Sequence, residues 1–308
     1  MATRLSALLS VVLVVFAGCG GKSPPEIEWS AFDGQRAYAH VQRLVSYGPR
    51  PAASPGLTRA ATYITTQLQE FGLETDEQVF VAPTPRGSLQ FRNIIGKTRS
   101  AGGREGGVIV IGTHYDTKWM TNVTFVGADD GGSSVGAVLE MARVASTSPN
   151  LWFAFFDGEE AMVRYGEEDG LWGSKFFVED LKGKDEVKRI KAMVLLDMMG
   201  NAKLNIGIPP DCTGWLVQQA FDAARAAGFR DSFTLRQSGM LDDHTPFLRV
   251  GIPAVDLIVV DPSTETGFPD YWHTDKDTLD KISPRGLAVA GQTALRLVTK
   301  LQNLPPGR

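Results

Sequence analysis

Cysteine is nearly absent: Cys19 and Cys212 are the only two in 308 residues. With Cys19 in a processing site, no internal disulfide is expected. Charge of one sign is scarce as well. A net charge of −4 excludes a general nucleic-acid binder, whose footprint is a basic surplus. The N-terminal apolar run, residues 5–16, falls short of the ~20 residues that a membrane-spanning helix needs. No internal repeat and no domain boundary stands out. What remains is ordinary for a globular chain, 43% hydrophobic and 21% charged. Its length suits one large α/β domain.

The N-terminus reads as a targeting segment. Arg4 is its basic part, residues 5–16 its apolar part, and Ala17-Gly18-Cys19 places small residues ahead of a cysteine. This resembles a bacterial lipoprotein lipobox, with Phe16 where Leu is more usual. The resemblance implies cleavage before Cys19 and acylation of that residue. An ordinary secretory signal with a spare cysteine is the competing reading, and both place the domain outside the cytoplasm. The expectation is a signal peptide over 1–19, a flexible tether over 20–31 and a single domain over 32–304. The protein is then an exported, monomeric lipoprotein of a bacterial periplasm or outer membrane, with a lipid anchor at Cys19.

Helical apolar spacing covers residues 32–47, 57–71, 135–145 and 215–227. A further helix is expected within 169–181. The closing helix, 283–301, starts at Ser283 as N-cap and Pro284 at its first position. Residues 77–82 and 90–95 read as strands joined through a Pro/Gly turn. Residues 108–111, 151–156, 192–196 and 252–260 are apolar runs of strand length. They read as strands buried on both faces. Strand and helix alternate, so the expected fold is α/β, a three-layer sandwich around a central, mostly parallel, twisted sheet.

The run 151–156 leads straight into Glu159 and Glu160. Two adjacent acids at a strand end are costly unless a cation or a shared proton compensates them. Alone, the pair reads as a solvated turn. But other buried strands end in the same way: 108–111 leads to His114 and Asp116, and 192–196 leads to Asp197. Asp130 precedes a helix and His273 sits in a late loop. In a parallel sheet such ends converge on one rim. His, Asp and Glu without Cys make a zinc-type ligand set of the catalytic kind. Each member has a plainer role available: His114 as a core histidine held by Asp116, Asp130 and Asp197 as caps, His273 as a surface residue, and Asp242 as the N-cap of a short helix.

In order and context these residues resemble the M28 metallopeptidase superfamily. The matching segments are His114-Tyr115-Asp116, Gly127-Ala128-Asp129-Asp130, Glu159-Glu160, Leu196-Asp197-Met198-Met199-Gly200 and His273-Thr274. Within it the chain is more similar to the animal-type glutaminyl-peptide cyclotransferases. A spacer separates Glu160 from Asp169-Gly170-Leu171-Trp172-Gly173-Ser174. Leu241 to Arg249 contains Asp-Asp-His-x-Pro-Phe-Leu-Arg, Trp272 precedes His273, and Gly48-Pro49-Arg50-Pro51 and Phe91-Arg92-Asn93 look like that family's N-terminal region.

The resemblance implies one Zn2+ held by Asp130, Glu160 and His273, Glu159 as acid/base, and Asp197 and Asp242 as a hydrogen-bonded acid network. Trp272 and Tyr165 line the substrate pocket, and peptide or protein N-termini are the substrate. It also implies a cis peptide between Asp130 and Gly131. The alternative within the superfamily is an aminopeptidase with two Zn2+, in which His114 and Asp197 hold the second metal, Asp130 bridges and Asp116 supports. A catalytically dead binding domain is the reading from outside enzymology. The departures are Tyr165 in place of a pocket Trp, Asp256 in place of a His, and Thr113 and Val135 in place of a cysteine pair.

Overall fold

Four apolar runs form the middle of one eight-stranded sheet, and each serves two cores at once. The structure, a computed structural model, describes residues 27–99, 107–166 and 168–304. The expected signal peptide over 1–19, including Cys19, lies outside the described residues.

In chain order the elements are α1 (Gly34–Val45), α2 (Pro55–Glu70), β1 (Glu74–Thr84), β2 (Gly87–Lys97), β3 (Val108–His114), α3 (Ser134–Val144), β4 (Leu151–Phe156) and α4 (Trp172–Gly183). They continue with β5 (Ile190–Asp197), β6 (Ile206–Ile208), α5 (Gly214–Ala226), β7 (Phe233–Leu235), α6 (Thr245–Arg249), β8 (Ala254–Val259) and α7 (Pro284–Asn303). The sheet order is β1-β2-β4-β3-β5-β8-β6-β7. β4, β3, β5 and β8 run parallel, β2 joins β4 antiparallel, and β6 joins β8 antiparallel.

The alternation of side chains along each central strand sorts them to two faces. Ile109, Ile111, Phe153, Phe155, Val194 and Leu196 enter the core under α1, α3 and α7. Val110, Trp152, Phe156, Met193 and Leu195 enter the opposite core with Phe177 of α4 and Phe247 of α6. Each buried side chain of this size contributes about 1.5–3 kcal/mol on leaving water. Helices on both faces of one sheet make the expected three layers.

Local chemistry sets the helix starts. The Ser54 side chain accepts from the N–H of Leu57 and that of Ser283 from Gly286, each with proline next in line. No helix among the described residues is long and apolar enough to cross a membrane.

Several expectations are corrected. Residues 27–31, expected as the end of a tether, pack on the domain: Ile27 is buried and Trp29–Ala31 form a turn of 3-10 helix against α7. The short strands β6 and β7 carry too few residues to show a period. Asp242 is not an N-cap, because α6 begins later at Thr245 and the Asp242 carboxylate accepts the N–H of Asp243 at 2.6 Å. No peptide among the described residues is cis, Asp130–Gly131 included. Gly131 makes the bend with φ +71° instead. A Cβ there would lie 2.2 Å from the Asp116 carbonyl oxygen, so only glycine fits.

Candidate metal centre and acid pocket

The parallel order of β4, β3, β5 and β8 lays their C-terminal ends side by side. β3 delivers His114 and, past its end, Asp116. β4 delivers Glu159 and Glu160, and β5 ends on Asp197. The bend before α3 adds Asp130, and the loop after β8 adds His273.

Asp130, Glu160 and His273 present ligand atoms within 4.8 Å of one another. His273 Nε2 lies 3.1 Å from Glu160 Oε1 and 3.1 Å from Asp130 Oδ2. One ring nitrogen has at most a single proton for two carboxylates. A cation among the three satisfies all of them, and oxygen and imidazole donors without sulfur fit a borderline dication. The electrostatics agree. Burial acts to lower the His273 pKa, yet Glu160 and Asp130 outweigh it and push it up to about 10. Against burial, His114 and His273 hold the Asp130 carboxyl far below the carboxylate range. The nest asks for positive charge.

A second group shares Asp130. His114 Nε2 lies 3.3 Å from Asp130 Oδ1 and 3.2 Å from Asp197 Oδ1. Asp116 offers no ligand atom to either group, and of the His114 ring it contacts only the far nitrogen. It accepts the N–H groups of Glu159 and Glu160 at 3.2 Å each, and sits 3.5 Å from His114 Nδ1. Asp116 therefore sets the turn that aims the two glutamates apart.

Glu159 is buried beside the metal nest without being part of it. Burial raises its pKa well above the glutamate range, with His114 opposing and Glu160, Asp243 and Asp116 adding. The Tyr165 hydroxyl donates to Glu159 Oε1. Asp197 is raised chiefly by burial. Burial and then the charge of Asp256 hold Asp242 well above the usual range, and burial followed by Asp197 does the same for Asp256. The substituted Asp256 thus stands behind Asp242, with its Oδ2 3.8 Å from His244 Nδ1. Each of the two acids thus disfavours ionisation of the other.

Glu159, Tyr165, Asp197, Asp242 and Trp272 all line one cavity of about 290 Å3. Met198, Ile258 and Phe268 supply its apolar wall. Trp272 stacks on His273 at 3.8 Å between centroids and on Phe268 at 4.5 Å. His273 holds φ +54°, a left-handed conformation that is strained for a residue with a Cβ.

Lys118 and Asp277 were not singled out from the sequence, and Arg50 and Asp169 entered only inside motif segments, without a role of their own. Lys118 donates from Nζ to Glu160 Oε2 at 3.2 Å. Asp277 and Asp169 each accept several backbone N–H groups. Arg50 is wholly buried and donates to backbone carbonyls of the loops that carry Asp116 and Asp130. Lys118 lies two residues after the His114-Tyr115-Asp116 segment and Asp277 four residues after His273, which is the only signal either one leaves in the sequence.

The profile of peptidase family M28 matches residues 93–298. The glutaminyl-peptide cyclotransferase of Boiga irregularis is 30% identical over 285 residues, covering 76% of this chain and 74% of that protein. A crystal structure of glutaminyl cyclase from an Acidobacteriales bacterium superposes with a TM-score of 0.82 at 33% identity, covering 91% of this chain and 97% of its own. A crystal structure of a Zn-dependent exopeptidase from Parabacteroides distasonis superposes at 0.79 with 28% identity, covering 89% of this chain and 99% of its own.

Proposed function

The chain belongs to peptidase family M28, and we propose that it is a glutaminyl-peptide cyclotransferase with zinc as its metal. It converts an N-terminal glutamine of a peptide to pyroglutamate and releases ammonia. The observation that carries this reading is the small cavity in which Glu159, free of the metal nest, faces Trp272 and Asp242.

Asp130, Glu160 and His273 hold the metal, which when bound supplies Lewis-acid polarisation of the glutamine side-chain carbonyl. Trp272 and Phe268 pack the substrate's first residue against an apolar wall. This fixes its α-amine and side-chain carbonyl in one geometry, and for an intramolecular reaction such positioning supplies much of the acceleration. The amine nitrogen forms a bond to the carbonyl carbon. Glu159 takes a proton from that nitrogen and delivers it to the leaving amide nitrogen, whose bond to carbon breaks to give ammonia. The raised pKa of Glu159 suits a group that must both accept and return a proton. Asp197 and Asp242 hold the surrounding charge and protons in place.

The retained group of His114, Asp130 and Asp197 favours one second reading, a two-metal aminopeptidase. The similarity to cyclases over most of the chain does not support it. One experiment separates the two. The purified protein is incubated with a Gln-initiated and a Leu-initiated peptide, each followed by mass. Loss of one ammonia from the first alone, reduced about 10²–10⁴-fold in Glu159→Gln, supports cyclisation. Release of free leucine sinks it.

We also propose that residues 1–19 carry a lipoprotein signal with its cleavage point before Cys19, and that Cys19, as the new N-terminus, carries the lipid of a monomeric, exported protein facing the periplasm or held in the outer membrane. The motif Ala17-Gly18-Cys19 supports the signal and the anchor. Labelled palmitate should enter the protein and should not enter Cys19→Ser. Equal labelling rules the anchor out.

A further inference from the structure

The segment after Glu160 is pinned at its start by the buried Ala161 and Met162 and has little apolar anchorage beyond them. Val163 is 71% exposed, and Arg164 is exposed beside it. What shapes it is one buried carboxylate. Asp169 Oδ1 accepts the N–H of Met162 at 2.9 Å, and Oδ2 accepts those of Val163 at 2.8 Å and Arg164 at 2.9 Å. Three successive N–H groups pointing to one carboxylate define the path of the backbone through residues 162–164. The backbones of Gly166 and Asp169 then exchange two hydrogen bonds, at 3.2 and 3.3 Å, and close the turn.

This turn carries Tyr165, and its far end packs against Glu159. The N–H of Leu171 donates to the Glu159 carbonyl at 2.9 Å. Gly170, at φ +106°, leaves room for the Tyr165 ring: a Cβ there would lie 3.3 Å from Tyr165 Cε2 and 2.8 Å from the Glu159 carbonyl oxygen. The result is the bond from the Tyr165 hydroxyl to Glu159 Oε1. That oxygen has a fixed donor, and Glu159 contributes no ligand atom to the group of Asp130, Glu160 and His273.

We propose that Asp169 is a positioning residue for the cyclisation, acting through Tyr165 to hold Glu159 over the substrate amine and off the metal. This rests on the reading of Glu159 as the group that moves the proton. Asp169 lines neither the cavity nor the metal nest. It orders the turn, the turn places the hydroxyl, and the hydroxyl orients the carboxylate.

The test measures kcat and KM with a Gln-initiated peptide for the wild type, Tyr165→Phe, Asp169→Asn and the double variant, together with the Tm and bound metal of each. Tyr165→Phe and Asp169→Asn should each lower kcat about 10–100-fold, the cost of a misplaced reacting group. KM should stay within about threefold, since the substrate's contacts remain. The double variant should fall no more than about threefold below Tyr165→Phe, because two residues acting in one chain are not additive. Costs that multiply would make Asp169 a separate structural support and overturn the proposal, as would loss of metal in Asp169→Asn. Tyr165→Phe carries the test even if Asp169→Asn does not fold, because it removes one hydroxyl from a ring that is 36% exposed. A wild-type kcat in that variant overturns the proposal, and a fall in kcat at constant KM supports it. A wild type that releases no ammonia would instead mean that the cyclisation reading has failed, and this inference falls with it.

Discussion

Asp277 accepts the backbone N–H of Asp130 on Oδ2 at 3.0 Å, while its Oδ1 accepts that of Asp129 at 2.7 Å. The two hydrogen bonds tie the loop of His273 to the bend of Asp130, so two of the three residues of the metal nest are held by one buried side chain. Asp129 adds to the grip. Its carboxylate accepts from the Tyr271 hydroxyl at 2.6 Å, the Ser133 hydroxyl at 2.8 Å and the Gly200 N–H at 2.9 Å.

Replacing Asp277 with Ala should therefore weaken metal binding before it touches chemistry. Supporting residues of this kind are worth about 10–100-fold in affinity. Competition with a chromogenic chelator reads the zinc Kd directly. A wild-type Kd in Asp277→Ala would show that the nest forms without this tie.

Trp272→Ala should raise KM about tenfold or more. The indole stacks on His273 and Phe268 and forms one wall of the cavity. Losing an aromatic contact of that size costs about 1–2 kcal/mol of binding. Steady-state kinetics on a Gln-initiated peptide check it. A change in kcat alone would place the ring in the transition state rather than in substrate binding.

Arg50 should be a stability residue. Its guanidinium donates to the carbonyls of Tyr115 at 3.2 Å, Val126 at 2.7 Å and Gly127 at 3.0 Å, in a site with no exposure. Burial lowers its pKa to about 10, so it stays charged at neutral pH. Arg50→Met leaves these carbonyls unpaired and should cost on the order of 3 kcal/mol or more. Arg50→Lys should recover only part, since an ammonium lacks the planar fork. Denaturant titration of the three proteins decides it, and a cost below 1 kcal/mol (roughly the value of one ordinary hydrogen bond) would refute the assignment.

Acid should destabilise the protein partly through His40. Its Nδ1 lies 2.6 Å from the Tyr63 hydroxyl. Burial, then Arg36 and Arg143, lowers its pKa from 6.5 to about 4. Between those values the unfolded chain binds a proton that the fold does not, so stability is full above the upper value and falls as pH drops through the window. The loss approaches on the order of 3 kcal/mol at its lower end. Denaturation at pH 7 and at the lower edge of that window should show a smaller acid loss in His40→Gln than in wild type. Equal losses would mean that His40 titrates alike in both states.

The central strands were legible because burial on both faces leaves an unbroken apolar run, as in residues 151–156. The helix start at Ser283 was legible because its capping bond needs only a few neighbouring residues, whereas apolar spacing began the helix capped by Ser54 two residues late, at Leu57. Asp242 misled as a cap: its environment is the pocket, not the helix that follows it.

The sequence by itself determined the layers and the acids at the strand ends, because periodicity and spacing report local burial, and the order of its motifs carried the resemblance to the family. Only the tertiary structure decided that Asp130 faces both His273 and His114, that Asp277 grips the Asp130 bend, and that Tyr165 reaches Glu159. These meetings depend on the path of the backbone between distant segments. That path is fixed by packing and by carboxylates accepting backbone N–H groups, neither of which leaves a period in the sequence.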